Sequence, residues 1–293
     1  MSPRFRAAHF IALVLGCAST TYAYSFAIYA EPFVDLLGPV KSVKVTMLTT
    51  QLNDPDVTKH EGSVTFNNQG LPSVIEEGRV EGEFANPGYD RSIFEYRDGC
   101  LSRYENWLVD IADASQKDIM EEYVYPASPC VTYNAEYFRK AHLEDLITSL
   151  GSRSSLSITW RGHIYDTVAE QISCNFAQST CRYEKTTVYA AGVLGSTKTT
   201  TVTTIVLNDK LKIEKMTERF DGGYEEATYN AQGWVVLKKG ESTDRRGSHS
   251  EWAKFSYPII DAKGNWTRRI EESFNSANGR YHTQQVDRTI QYQ

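Results

Sequence analysis

Apolar and polar residues alternate through most of this chain. From Thr197 onward, short alternating runs follow one another almost without interruption. The pattern predicts strands over 197–207, 211–220, 223–230, 234–242, 250–258, 266–274 and 280–292, joined as an antiparallel meander. In "KLKIEKMTERF" charged and apolar residues take turns, so at least one face of the sheet is solvated. Between Trp107 and Leu150 the rhythm changes. "NAEYFRKAHLEDLITSL" opens on the cap-type Asn134 and sets Leu143, Leu146, Ile147 and Leu150 at helical spacing. "WLVDIADASQKDIMEEY" is a weaker helix candidate. The expected fold is mainly β: antiparallel hairpins and meanders forming an extended sheet, with one or two helices inserted in the middle.

The turns have a shared wording. "VTFNNQGLPSVIEE", "FEYRDGCLSRYE", "ATYNAQGWVVLKK" and "YPIIDAKGNWTRRIEE" each run from an aromatic to Asn or Asp and then to Gly70, Gly99, Gly233 or Gly264. "VLNDKLKIEKMTE" has Asn208-Asp209 and no Gly. Asn and Asp bond their own backbone in a turn, and Gly supplies a positive φ for the returning strand. Trp234 and Trp266, just past their glycines, are expected to pack across the strand pair rather than to bind a ligand.

Composition is that of a globular chain: 293 residues, 41% hydrophobic, with a surplus of Tyr, 18 in all. The first residues, "MSPRFRAAHFIALVLGCASTTYAYSF", read as an export signal. Arg4 and Arg6 precede a short apolar run, Phe10 to Ala18, which is too short for a membrane helix. Thr21 and Ala23 fit the positions before a cleavage site, with Ala30 a second candidate. Cys17, ending "VLGC", gives a lipoprotein alternative, and an uncleaved anchor is a third. Three units are expected: a signal at 1–23, an N-terminal β-hairpin region with its helical insert at 24–150, and a C-terminal meander at 151–293, continuous with the first or separate from it.

Cleavage after residue 23 leaves 29 basic against 37 acidic residues, without a dense basic patch. That argues against nucleic acid as a partner. Cys100, Cys130, Cys174 and Cys181 suit an oxidising compartment. "CNFAQSTC" lies between two strand-like runs, so a Cys174–Cys181 bond would staple a hairpin and leave Cys100 for Cys130. Four cysteines allow three pairings, and four separate buried thiols are the alternative.

The turn wording, above all "SYPIIDAKGNWTRRI", with "TYNAQGWVVLKK" and "TFNNQGLPSVIEE", resembles the tyrosine-aspartate (YD) repeats of Rhs-type bacterial surface and toxin-shell proteins. "LGPVKSVKVTM" is similar to the first strand of small exported bacterial proteins of that kind. The resemblance covers about residues 36–105 and 197–293. It implies a β scaffold and no transferable catalytic residue.

Chemistry is thinly marked. The six histidines form no metal-ligand spacing, and His142, with Glu144 and Asp145 close behind it, reads as a packing or surface residue. "GVLGSTKTT" lacks phosphate-loop spacing. Neither a GxSxG elbow nor a calcium loop is present, and Asn265-Trp266-Thr267 fits a glycosylation acceptor only on paper. The pairs Glu76-Glu77, Glu121-Glu122, Glu225-Glu226 and Glu271-Glu272 cannot act as dyads on a strand, because adjacent side chains point to opposite faces. Two acids from different strands could still meet. No cofactor and no metal are expected. The function expected is a non-catalytic binding or structural β-repeat protein, periplasmic or secreted or held through Cys17. Its expected partner is a protein or glycan of the cell envelope, as for an immunity-like module, with no membrane span after signal cleavage. The alternative is an envelope glycan hydrolase with carboxylates on the sheet face.

Overall fold

The computed structural model describes residues 36–51, 54–81, 88–110, 117–133, 138–161, 166–189, 198–220, 222–244, 247–276 and 279–293. The leader, including Cys17, and the proposed helix cap Asn134 lie outside the described residues. The first eight strands are β1 (Val40–Gln51), β2 (Asp54–Phe66), β3 (Pro72–Glu81), β4 (Gly88–Arg97), β5 (Cys100–Asp110), β6 (Lys117–Val124), β7 (Ser155–Arg161) and β8 (Asp166–Asn175). The second eight are β9 (Thr180–Tyr189), β10 (Lys198–Leu207), β11 (Ile213–Phe220), β12 (Gly223–Tyr229), β13 (Val235–Asp244), β14 (Gly247–Ile260), β15 (Trp266–Asn275) and β16 (Arg280–Tyr292). One helix, α1 (Arg139–Leu150), stands between β6 and β7.

Each strand pairs antiparallel with the next. β1 then pairs with β16, from Val40 against Tyr292 to Gln51 against His282, and the sheet closes into a sixteen-stranded barrel. The extended open sheet expected from the pattern is therefore corrected. Alternation predicts strands and their faces, but not that the first strand meets the last. The weaker helix candidate is also corrected: Trp107 to Asp110 end β5 and Lys117 to Tyr123 belong to β6. Tyr104 is buried on the inner face and Arg103 and Glu105 lie on the outer one, a period of two.

The turns explain why so many hairpins form. Asn67 Oδ1 accepts the N–H groups of Gln69 and Leu71, and the same arrangement recurs at Asn208, Asn230 and Asp261. The fourth residue of each turn has positive φ: Gly70 at 77°, Leu211 at 59°, Gly233 at 85° and Gly264 at 87°. Asn208 thus imposes the same turn without a glycine. The β4–β5 hairpin is tighter, with Asp98 at 53° and Gly99 at 79°. Trp234 and Trp266 emerge from their turns into the barrel, 8% and 2% exposed, and both rings lie against Tyr257, with centroids at 4.9 and 5.6 Å.

Closure has its own clasp. Asn265, fully buried, accepts from Leu37 N–H through Oδ1 at 2.6 Å, and its Nδ2 donates to Leu37 carbonyl and Tyr292 hydroxyl, both at 2.8 Å. One amide therefore ties the entry to β1, the end of β16 and the β14–β15 turn.

Inward side chains form one continuous apolar cluster, from Val43, Val45 and Met47 of β1 around to Val286 of β16. Leu143, Leu146, Ile147 and Leu150 bury one side of α1 in it. Cys100–Cys130 fastens the segment leading to α1 onto β5, beside the Leu101 N–H to Val131 carbonyl bond. Cys174 and Cys181 are also bonded, across the short turn from β8 to β9.

Two substitutions at equivalent turn positions should act with opposite sign. Gly264→Val forces a β-branched residue into positive φ, where its Cβ would also lie 3.1 Å from Leu37 Cδ1. It should destabilise by about 1–3 kcal/mol. Leu211→Gly relieves a left-handed leucine that is half exposed, and should stabilise by about 0.5–1 kcal/mol. Urea unfolding of the two variants beside the parent checks both signs.

Candidate functional site

The site grows out of register. One row crosses the inner wall through directly opposed residues: Thr203 to Glu218, Glu218 to Glu225, Glu225 to Gly240, Gly240 to Glu251 and Glu251 to Asn275. Parity sets these residues on the same face as the buried Met216, Ala253 and Phe255. Three carboxylates are thereby placed in one inward line.

They are not equivalent. Glu218 is held by the Arg139 guanidinium, which also donates to Thr203 Oγ1 at 2.7 Å. Glu225 and Glu251 approach each other over Gly240. A Cβ at position 240 would lie 3.3 Å from Glu251 Oε1, 3.5 Å from Glu225 Cγ and 3.1 Å from Tyr224 carbonyl. The absent side chain is what lets two acidic chains lean over the middle strand. Glu251 Oε2 accepts from Asn275 Nδ2 at 3.1 Å. Burial, and then the charge of Glu225, push the Glu251 carboxyl up to about 7, against the opposing hydrogen bond from Asn275. A carboxyl poised there exchanges a proton near neutrality and draws a cation when ionised.

His142 lies elsewhere inside the barrel. Its Nε2 is 2.7 Å from Glu170 Oε2, its Nδ1 is 2.8 Å from Tyr133 carbonyl, and Tyr183 hydroxyl donates to the other Glu170 oxygen. Both His142 and Glu170 are buried. Burial lowers the imidazole pKa, but the Glu170 charge and hydrogen bond outweigh it and the net direction is up. With both ring nitrogens engaged and no exposure, the pair latches α1 to β8. A third polar cluster joins Arg288, stacked 3.6 Å from the Trp266 ring centroid, with Arg269, 5.2 Å from the Phe255 ring centroid. Burial, followed by the neighbouring Arg269 charge, lowers Arg288 to about 9.

The adjacent acid pairs split across the wall. Glu225 faces in, while Glu226 faces out between Lys215 at 2.7 Å and Lys239 at 3.1 Å. Glu271 is buried and Glu272 exposed. The outer face carries Lys44, Arg103 with Glu122, Lys254 and Arg268 with Asp287. Trp252, Phe274 and Tyr281 form an outer aromatic ladder across β14, β15 and β16. These charges share the outer face with the exposed apolar side chains of Val57, Leu108, Met120, Val124 and Val188.

Sequence reasoning missed Glu251, Gly240, Glu170 and Arg288. The signal for Glu251 was present in "SEWAKFSY", where it shares parity with Ala253 and Phe255. Gly70, Gly99, Gly233, Gly264, Trp234 and Trp266 shape and pack hairpins, and none lies in the carboxylate row.

Closure overturns several expectations. The similar hairpins are successive staves of one barrel, so neither the Rhs-type, tyrosine-aspartate repeat reading nor the non-catalytic repeat module for an envelope protein or glycan stands. The hydrolase alternative also fails. The converging carboxylates are on the inner wall, while the outward Glu226 and Asp287 are engaged in ion pairs. The expected absence of a membrane span rested on the lack of a long apolar helix. That test does not reach a closed barrel, one of the two architectures able to cross a bilayer. Two disulfides fit an envelope location.

No family profile matches the chain, and no curated protein sequence matches it. Among solved structures it is similar to a porin-like protein from Bacteroides uniformis, at 10% identity over 87% of this chain and 99% of that one, with a TM-score of 0.38. It is similar to a putative outer membrane lipoprotein-sorting protein domain from Vibrio parahaemolyticus, at 10% identity over 91% of each chain and a TM-score of 0.33. Pseudomonas aeruginosa OccK2 (OpdF) gives 8% identity over 86% of this chain and 98% of that one, with a TM-score of 0.35. At these scores no residue of the site is matched to any of them.

Proposed function

We propose that this chain is a solute-handling barrel of the cell envelope, in the broad class of transport proteins. Its inner wall takes a small organic cation, an amine or guanidine, between Glu225 and Glu251. The observation that carries this reading is the convergence of the two carboxylates over Gly240. An ammonium group seated there would donate to both acids and offset the burial and the Glu225 repulsion that together raise Glu251. Arg139 already neutralises Glu218, so the row offers its charge at the Glu225–Glu251 end. In this reading the leader is removed after Ala23 and the mature chain begins near Tyr24 in the periplasm, without lipid. Mass spectrometry of the exported protein tests that start, and a diacylated Cys17 at the N-terminus would overturn it.

The proton on Glu251 gives a stability prediction with a definite sign. Its folded pKa is about 7 against an ordinary 4.5. The fold therefore favours the protonated form, and that contribution is complete below about pH 4.5 and fades as pH rises to 7. Glu251→Gln should raise the melting temperature at pH 8 and leave it nearly unchanged at pH 4. Equal shifts at both values would show that the carboxyl is not held in this state.

Binding follows the same proton. Calorimetric titration with an alkyl diamine should give tighter binding at pH 8 than at pH 6, because the ionised pair carries one more charge. Glu251→Gln should weaken binding by about tenfold or more, the scale of one lost charge-assisted hydrogen bond, and flatten the pH dependence. Gly240→Val, which fills the space between the acids, should weaken it too. Affinity that is absent at both values, or unaltered in both variants, removes this function.

A further inference from the structure

One joint of the barrel differs from the other fifteen. Among the described residues β6 and β7 meet only at Val124 and Arg161. After Val124 the strand ends, although Tyr125 N–H still donates to Ser102 carbonyl and Val131 carbonyl accepts from Leu101 N–H, and the chain passes Cys130 and α1 before β7 begins at Ser155. The stretch of β7 before Arg161 therefore has no strand on its β6 side.

Hydrogen-bond alternation fixes which groups this leaves open. Cys174 N–H donates to Ser154 carbonyl at 2.9 Å, and the register continues with Ser155 opposite Ser173 and Leu156 opposite Ile172. Antiparallel pairs alternate between bonded and non-bonded. Leu156, Ile158 and Trp160 accordingly bond to β8, while Ser155, Ser157 and Thr159 aim N–H and C=O at the joint. These three residues are exposed. Beside them opens a groove of about 450 Å³ lined by Ser128, Pro129, Cys130, Arg153, Leu156 and Ser157. On β6, Met120 and Val124 are 54% and 52% exposed.

Free sheet edges are usually guarded by lysine, proline, a bulge or an inward charge. "SLSIT", residues 155–159, has none of these. We propose that this edge joins two copies of the chain, β7 against β7 in antiparallel pairing about a two-fold axis at Ser157. On that axis Ser157 of one copy opposes Ser157 of the other, a hydrogen-bonded pair by parity, and Ser155 opposes Thr159. These paired side chains, Ser155, Ser157 and Thr159, are small, uncharged and hydroxyl-bearing, so the five-residue ladder itself opposes no like charges, and the first like-charged pair, Arg153 against Arg161, falls beyond its ends. An isologous contact needs one patch that complements itself, and this edge does. The second copy would also shelter Met120 and Val124.

Sedimentation of the oxidised mature protein over a concentration series tests the pairing. The parent should shift from monomer to dimer mass. Ser157→Pro removes only a joint-facing N–H, which an edge position tolerates. It should weaken the dimer by about tenfold or more while leaving the monomer's melting and far-ultraviolet dichroism unchanged. Ser157→Lys, which sets a charge against its own copy, gives the second reading should proline disturb the strand. A parent that stays monomeric, a dimer that survives both substitutions, or a monomer that instead takes up an unrelated extended peptide would each overturn the proposal.

Discussion

The pairing of β1 with β16 is the interaction on which the rest of the molecule depends. It joins residues near 40 to residues near 290, and it turns a meander, which has two edges and two faces, into a wall with an inside and an outside. Until that pairing forms, alternation along each strand only separates two faces. Afterwards every inward position competes for one enclosed space. Loop closure across nearly the whole chain carries an entropic cost that grows only slowly with length. A long ladder and the Asn265 clasp are set against it. Asn265 is suited to this task because an amide offers both a donor and an acceptor, and both are used, on the Leu37 backbone and on the Tyr292 hydroxyl, which itself donates to Asp261.

Enclosure then sorts the polar residues. A charge on the outer wall needs only water or a surface partner, as Lys215, Glu226 and Lys239 illustrate. A charge on the inner wall needs a specific partner, or its pKa moves. His142 and Glu170 satisfy each other beneath α1, and Arg288 lies on Trp266 with its Nε donating to the Trp266 carbonyl. Glu251, buried beside one neutral donor and a like-charged neighbour, is an inner carboxyl whose proton shifts towards neutrality. The same enclosure that makes most inner charges structural leaves this one responsive.

The sequence showed the hairpins because their cause is local. Asn67, Asn230 and Asp261 each act on residues two and four positions ahead, well within the reach of pattern reading. Even the glycine-free turn at Asn208 follows the rule, with the side-chain amide rather than the αL residue as its organiser. Closure was not legible, since nothing near Val40 marks Tyr292 as its partner. The segment from Trp107 misled because Trp107, Leu108 and Val109 are consecutive apolar residues. A bulge between Asn106 and Trp107 in the ladder to β6 breaks the plain alternation there. The carboxylate pair was half legible. Parity places Glu225 and Glu251 on a common face, but only the β12–β13–β14 register sets Gly240 between them.

The helical insert connects these observations. A sixteen-strand meander with uniform turns would leave no thin joint, and it would have to fill its interior from strand side chains alone. Residues 125–133 and 138–150 instead form no strand, bury Phe138, Leu143, Leu146 and Leu150 in the apolar cluster, and send Arg139 to Glu218 at one end of the carboxylate row. Filling the interior and neutralising Glu218 therefore come from one excursion of the chain. Among the described residues, that excursion leaves the part of β7 before Arg161 without a neighbouring strand on its β6 side. The same residues that leave Glu225 and Glu251 as the reactive end of the row also leave Ser155, Ser157 and Thr159 as an open edge, so the inner site and the outer joint are two consequences of one insertion.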